Sequence, residues 1–310
     1  MNVEVLVGLQ AARGTAETND MFKVSATDYG IASSTDKTIS EALGSGRWVR
    51  DGFLSKVSVE GDVPVELNME QMELALHAAG FTGVLDGVND WKMTPDDTLN
   101  KYLTVGVNDL DNNMFEYAKD CLLSSITISA TLEAFITGNL NFIGMDYTTE
   151  NTKYANTTQV LDLESLICLG ATIKEAGTDM TSKVESVEMT IDNKLEGKGA
   201  MNSVYYKAIR QSDRGNITLG ITFNEFDKAS YLDAKDKQFK NTAYEVELIY
   251  ALSSDPTKRV IFTFPKCKVS KNERTDFAGS GGLTKELEAY YDETIKSPVS
   301  ILFKNYTSIL

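Results

Sequence analysis

The feature of this sequence that most restricts its fold is a period of two in its apolar residues. In VSVEGDVPVEL, Val57, Val59, Val63, Val65 and Leu67 fall on one side of an extended chain, and Ser58, Glu60, Asp62 and Glu66 fall on the other. Successive side chains of a strand point to opposite faces, so this spacing predicts a half-buried strand. The same alternation recurs in SITIS (Ile126, Ile128), VEMTID (Val187, Met189, Ile191), NITLGITF (Ile217, Leu219, Ile221, Phe223) and YEVELIY (Tyr244, Val246, Leu248, Tyr250). One dry face and one wet face is the signature of antiparallel sheets, so the chain reads as mainly β. Thirteen Tyr and thirteen Phe against only five Pro agree with that class, since aromatic side chains suit a pleated surface and Pro interrupts one. A hydrophobic content of 42% over 310 residues is enough for one large core or two ordinary ones.

Two segments depart from this period, and each follows a strand. NMEQMELALHAAG places Met69, Met72, Leu76 and Ala79 at helical spacing, and NEFDKASYLDAKDKQF places Phe226, Ala229 and Leu232 likewise. Each predicts one amphipathic helix packed on a sheet. The order strand, helix, strand, strand therefore occurs twice. DVPVELNM, a helix, KYLTVGV and CLLSSITISA are echoed by NITLGITF, a helix, AYEVELIY and VIFTF leading into CKVS, with Cys121 and Cys267 at corresponding places. The first copy carries an insertion around Asp86 to Thr98, and the aperiodic polar stretch DYTTENTKYANTTQ marks the changeover, giving units 1–150 and 151–310.

Chemistry-bearing motifs are sparse. His77, the only histidine, stands in ELALHAAG without a second His or a Cys nearby, and reads as a structural histidine. DLDNNMFEYAKD has Asp109, Asp111 and Asn113 in calcium-loop spacing, but Met114 stands where that loop turns on Gly, so a hairpin turn is expected. AGSGG at 278–282 lacks the Lys and Ser/Thr of a phosphate loop and reads as a flexible connection. Cys121, Cys168 and Cys267 form no CxxC pair and read as reduced thiols. Trp48 and Trp91 are too separated for a sugar platform, and the carboxylates of the strand faces read as solvated charge rather than as a glycosidase pair. The opening MNVEVLVGLQAARGT has no basic leader and apolar run, no membrane anchor is expected, and the sequons at Asn156, Asn216 and Asn305 are chance matches in a cytoplasmic product. No catalytic, cofactor-binding or metal-binding residue is expected. The formal charge of -15 disfavours binding to phosphate backbones, or serves solubility alone.

Several passages together resemble a known family. VGLQAARGTAET, GRWVRDGFLSKVSVEGDVPVELN, SVEMTIDNKLEGKGAMNS followed by RGNITLGITFNEFDKASYL, and TFPKCKVSKNERTDFAGSGGLTKELEAYY are similar to the tail tube (major tail) proteins of long-tailed bacteriophages along nearly the whole chain. The resemblance implies tandem β-sandwich or barrel tube domains, each with a flanking α-helix. Strands of neighbouring subunits would join around a channel, and rings would stack into a tube through which DNA is ejected. A tape-measure protein, a tail terminator and baseplate proteins are the implied partners, within a virion assembled in the host bacterial cytoplasm. Residues Gly8 to Thr15 would be an inter-subunit arm.

On that reading Glu60, Asp62, Glu66, Glu188 and Asp192, on polar strand faces, are candidates for an acidic lumen past which DNA slides without specific binding. Outer solvent or a subunit contact is the alternative for each. Two units per chain would close a pseudo-sixfold ring as a trimer, with a hexamer bearing its second half outside as the alternative. A tail-completion protein, a baseplate adaptor or the inner tube of a contractile injection system shares the expected fold. A carbohydrate- or calcium-binding β-sandwich is the reading from a different class.

Overall fold

The computed structural model describes residues 2–39, 52–153, 157–161, 164–275 and 282–310. Its first half runs β1 (Val3–Leu9), β2 (Asp20–Val24), β3 (Ala32–Ile39), β4 (Gly52–Glu66), α1 (Met69–Ala78), β5 (Phe81–Asp86), β6 (Asp90–Pro95), β7 (Leu103–Asp109), β8 (Met114–Thr131), β9 (Thr137–Gly144) and β10 (Asp146–Glu150), and the changeover is followed by β11 (Thr157–Val160). The second half continues with β12 (Ala171–Glu175), β13 (Thr178–Asp179), β14 (Val184–Asp192), β15 (Leu195–Ala200), β16 (Ser203–Gln211), β17 (Asn216–Phe223), α2 (Lys228–Lys240), β18 (Tyr244–Ala251), β19 (Arg259–Thr275), β20 (Gly282–Ala289) and β21 (Ser300–Lys304). The protein is mainly β, as the period of two requires, and every inward residue named above for the five strand segments is buried.

Each half is organised by one long strand that belongs to two ladders. The first part of β8 pairs with β7 and β10, and its second part pairs with β9. In the same way β19 pairs first with β18 and β21, then with β20. The irregularities coincide too. Leu103 faces Cys121 and Val105 faces Ala118, while Tyr244 faces Cys267 and Val246 faces Phe264, so both ladders skip residues at one point. A second skip falls between Leu123 and Ser125 against β9, and between Val269 and Lys271 against β20. A bulge sharpens the local twist and bends its strand, which lets one strand leave one ladder and enter the next. The hairpins β1–β2 and β12–β13 and the pairs β3–β4 and β14–β17 complete the correspondence.

The halves are joined by hydrogen-bonded backbone. Ser125 to Thr131 of β8 pair antiparallel with Ser186 to Asp192 of β14, with Ile126 opposite Ile191 and Ile128 opposite Met189. The sheet thus runs β3-β4-β9-β8-β14-β17-β20-β19 across both halves, and the buried residues of both form one continuous cluster.

The two helices differ in burial. The Asn68 side chain caps α1 by accepting from the Gln71 N–H at 2.7 Å, and Gly80 ends it at φ +94, a left-handed conformation that favours glycine. Met69, Met72, Leu76 and the capping Ala79 are buried as the spacing predicts. Helix α2 is capped by Asp227, which accepts from the Ala229 N–H at 2.9 Å and is paired with Lys183 at 2.7 Å; that pairing, with Ser230, lowers its carboxyl to about 2. Its apolar register differs from the spacing read in the sequence. Ala234 is the buried residue and Tyr231 is half-buried, whereas Ala229 and Leu232 are exposed, Leu232 by 53%. The cause is direction of packing: α2 lies against β19, with the Asn272 side-chain amide donating to the Tyr231 carbonyl at 3.0 Å.

Buried polar groups tie the structure together. Glu73 is fully buried and accepts from the Tyr306 hydroxyl at 2.7 Å, the Ile309 N–H at 3.0 Å and the Ser308 hydroxyl, pinning the C-terminal segment over α1. In the second half Lys285 donates to both carboxylate oxygens of Glu175 at 2.9 and 2.8 Å, with Lys285 2% exposed. The corresponding ladder positions in the first half are Leu140 and Val7. A buried pair holds little net stability over well-packed apolar residues, but breaking one leaves a bare charge. Lys285→Leu alone is therefore expected to lower unfolding free energy by about 3–5 kcal/mol in urea titrations, and Lys285→Leu with Glu175→Val to restore most of it.

Candidate functional site

The strands of the shared sheet bury one face and leave the other polar. Because side chains directly opposite across a ladder share a face, the pairings define rows on the open side. One row runs Glu66, Thr137, Ser129, Glu188, Gly220, Glu286 and Lys271 from β4 to β19. The next but one runs Asp62, Asn141, Ser125, Asp192 and Asn216. Between them lie Thr127 and Thr190, whose hydroxyls are 3.0 Å apart across the seam that joins the halves. Glu66, Asp62, Glu188 and Asp192, named from four separate sequence positions in two segments, thus stand on one face of one sheet.

Local partners moderate this charge unevenly. Asp62 accepts from the Asn141 amide at 2.7 Å. Asp192 accepts from the Lys194 N–H at 2.8 Å and pairs with the Lys194 ammonium at 2.5 Å. Glu60 lies at the rim, opposite Ile143, where the β15–β16 hairpin crosses the sheet: the Tyr206 hydroxyl donates to Glu60 at 3.0 Å, and Tyr206 and Ile209 cover Leu122, Ile143 and Met145. Sequence reading missed Glu273, Glu286 and Glu288, which belong to the same open side. The alternation in GLTKELEA carried that signal, but the buried Lys285 at an inward position obscured it.

Burial pushes the thiols of Cys121 and Cys267 up, the latter to about 12, which leaves them protonated and unreactive. The turn 110–113 between β7 and β8 is closed by Asp109, which accepts from the Asp111 and Asn112 N–H groups at 3.1 Å each, with Asn113 at φ 51. Residues 8–15 bond within this chain: Gln10 N–H donates to the Tyr102 carbonyl at 2.9 Å, Gly14 N–H to Asp120 at 2.6 Å, and Arg13 to the Lys207 carbonyl. Trp48 and most of the AGSGG run lie outside the described residues. No group of three His, Cys, Asp or Glu side chains spaced for a metal occurs among the described residues, and no described helix is long and apolar enough to cross a membrane.

The acidic face is extended, its carboxylates spread over the rows from β4 to β19. The family model described as phage tail tube protein matches residues 2–288. The chain belongs to the phage tail tube protein family. Membership makes it a structural component of the virion's tail, in a family whose members assemble with themselves and with other tail proteins. No curated protein matches it.

His77 makes a clean test of the first half's packing. It sits in the last turn of α1, half-buried, with the Lys101 ammonium 3.4 Å from Nδ1. Burial first, and the Lys101 charge second, lower its pKa from 6.5 to about 4, against a smaller opposing pull from Asp96. Between those values the unfolded chain binds the proton and the folded chain does not, so stability is full above pH 6.5 and falls as pH drops toward 4. His77→Gln is expected to flatten that part of the profile of melting temperature against pH.

Proposed function

We propose that three copies of this chain close a ring of six tube units, that rings stack into the tail tube, and that the acidic sheet face lines its channel. The units are 1–150 and 151–310, with β11 returning to pair in parallel with β2 of the first. The observation that carries the reading is the β8–β14 seam, which makes one sheet of both halves and sets Glu66 and Glu188 in one row. A sheet of this size, with two ends open among the described residues, avoids aggregation by closing, and closure through rotational symmetry is the economical solution. On this reading the carboxylates face ejected DNA. Like charge keeps phosphates from sticking, while Thr127, Thr190 and Asn141 keep the wall wetted. The tape-measure protein, terminator and baseplate would meet the tube at its bore and ends, with assembly in the host cytoplasm.

Electron microscopy and native mass spectrometry of the purified chain test this directly. Stacked rings of three 34.1 kDa chains with pseudo-sixfold averages are expected; six chains per ring would replace the trimer by the hexamer, and rings that never stack would favour an adaptor. Wild-type tubes are expected to leave DNA unshifted in a low-salt gel. Tubes carrying Glu66→Lys, Glu188→Lys and Asp192→Lys are expected to retain DNA in a salt-dependent way, by roughly tenfold or more in affinity. Equal behaviour of both would place this face away from the channel.

A further inference from the structure

The chain contains one copy of a junction whose second copy, among the described residues, is open at both ends. We infer that Lys271–Thr275 of β19 pairs antiparallel with β3 of a second copy of this chain, with Ser34 opposite Lys271, Ser33 opposite Asn272 and Ala32 opposite Glu273. This rests on the ring reading and specifies which strands close it and in what register.

The register comes from the internal correspondence. Matching β8–β9 to β19–β20 places Ser125 with Lys271, Ile126 with Asn272 and Thr127 with Glu273. Matching β4–β9 to β17–β20, then β3–β4 to β14–β17, places Ala32 with Thr190, Ser33 with Ile191 and Ser34 with Asp192. Transferring the observed β8–β14 pairs, Ser125 with Asp192, Ile126 with Ile191 and Thr127 with Thr190, gives the pairs above. Among the described residues β3 is paired only with β4, and Lys271, Asn272 and Glu273 pair in a ladder only with β20. The Ser270 carbonyl, which corresponds to Ser124, already accepts from Gln238 at 2.8 Å, so the new ladder starts at Lys271.

Two side-chain observations agree independently. Asn272 is 2% exposed, yet its carboxamide oxygen has no donor among the described residues. A buried acceptor without a partner is costly, and the facing residue would be Ser33, a hydroxyl donor. Leu232, counted from the helix caps, corresponds to Glu73, which binds the other half of the chain; a leucine cannot accept those hydrogen bonds, but its exposure leaves the same flank of α2 open to an apolar contact.

Backbone donors also fit. The Gly30 N–H donates to Asp62 of β4 at 2.9 Å, so Ala32 points its N–H the same way and Ser33 points its own outward. Assembly of Ala32→Cys with Glu273→Cys, followed by mild oxidation, should yield disulfide-linked trimers on a non-reducing gel, because the template hydroxyls at those positions are 3.0 Å apart. Ala32→Cys with Lys271→Cys, two residues out of register, should link at least tenfold less, and the wild type not at all. Ser33→Pro should keep its melting temperature within a few degrees but lose rings. Rings that form without the first crosslink, or that survive Ser33→Pro, overturn this pairing while sparing the ring reading; wild-type protein that forms no rings defeats the ring reading itself.

Discussion

Everything in this structure depends on the demand that a strand's backbone groups find partners on both sides. An unpaired sheet edge offers a row of donors and acceptors to whatever strand comes near. Strand β8 meets that demand by serving two ladders, β7 and β10 early, then β9 and β14 late. The bulges after Leu103 and Leu123 bend it between those tasks. Because its last segment takes β14 rather than solvent, two similar halves become one sheet with one core. Strand β19 repeats the bends, and among the described residues its last segment pairs only with β20.

The halves differ most in the burial of their helices. Helix α1 is buried along nearly its whole length, with Glu73 gripping the C-terminal segment, whereas α2 buries little more than Ala234. The Lys285–Glu175 pair stands where the first half has Leu140 and Val7. Ionic and apolar solutions fill the same volume at similar net stability, but an ion pair accepts only its own partner.

The open face assigns charge without chemistry. Its carboxylates are spread along strands about 4.8 Å apart, and several are answered by Asn141, Lys194, Tyr206 or Lys271, whose ammonium lies between Glu273 and Glu286. Such a surface acts through its summed field, which reaches about 8–10 Å at physiological salt.

How much of this was legible in the sequence follows from the range of the forces involved. Alternation in VSVEGDVPVEL or NITLGITF is written in adjacent residues, so the strands, their buried faces, α1 and the twofold order of elements were all determined locally, as was the acidic excess. The inward register of α2 was not, because its contact is with β19, thirty residues away, and an amphipathic pattern with few apolar residues does not say which side will meet a sheet. Nor did any local pattern reveal that Glu66 and Glu188 share a row, that Tyr206 reaches Glu60, or that Lys285 points inward to Glu175. Those depend on the pairing of β8 with β14 and on the crossing of a distant hairpin. The sequence by itself determined which residues are extended and which face each prefers; only the tertiary structure decided which faces meet, because strand partners are chosen by hydrogen bonds between residues far apart in the chain.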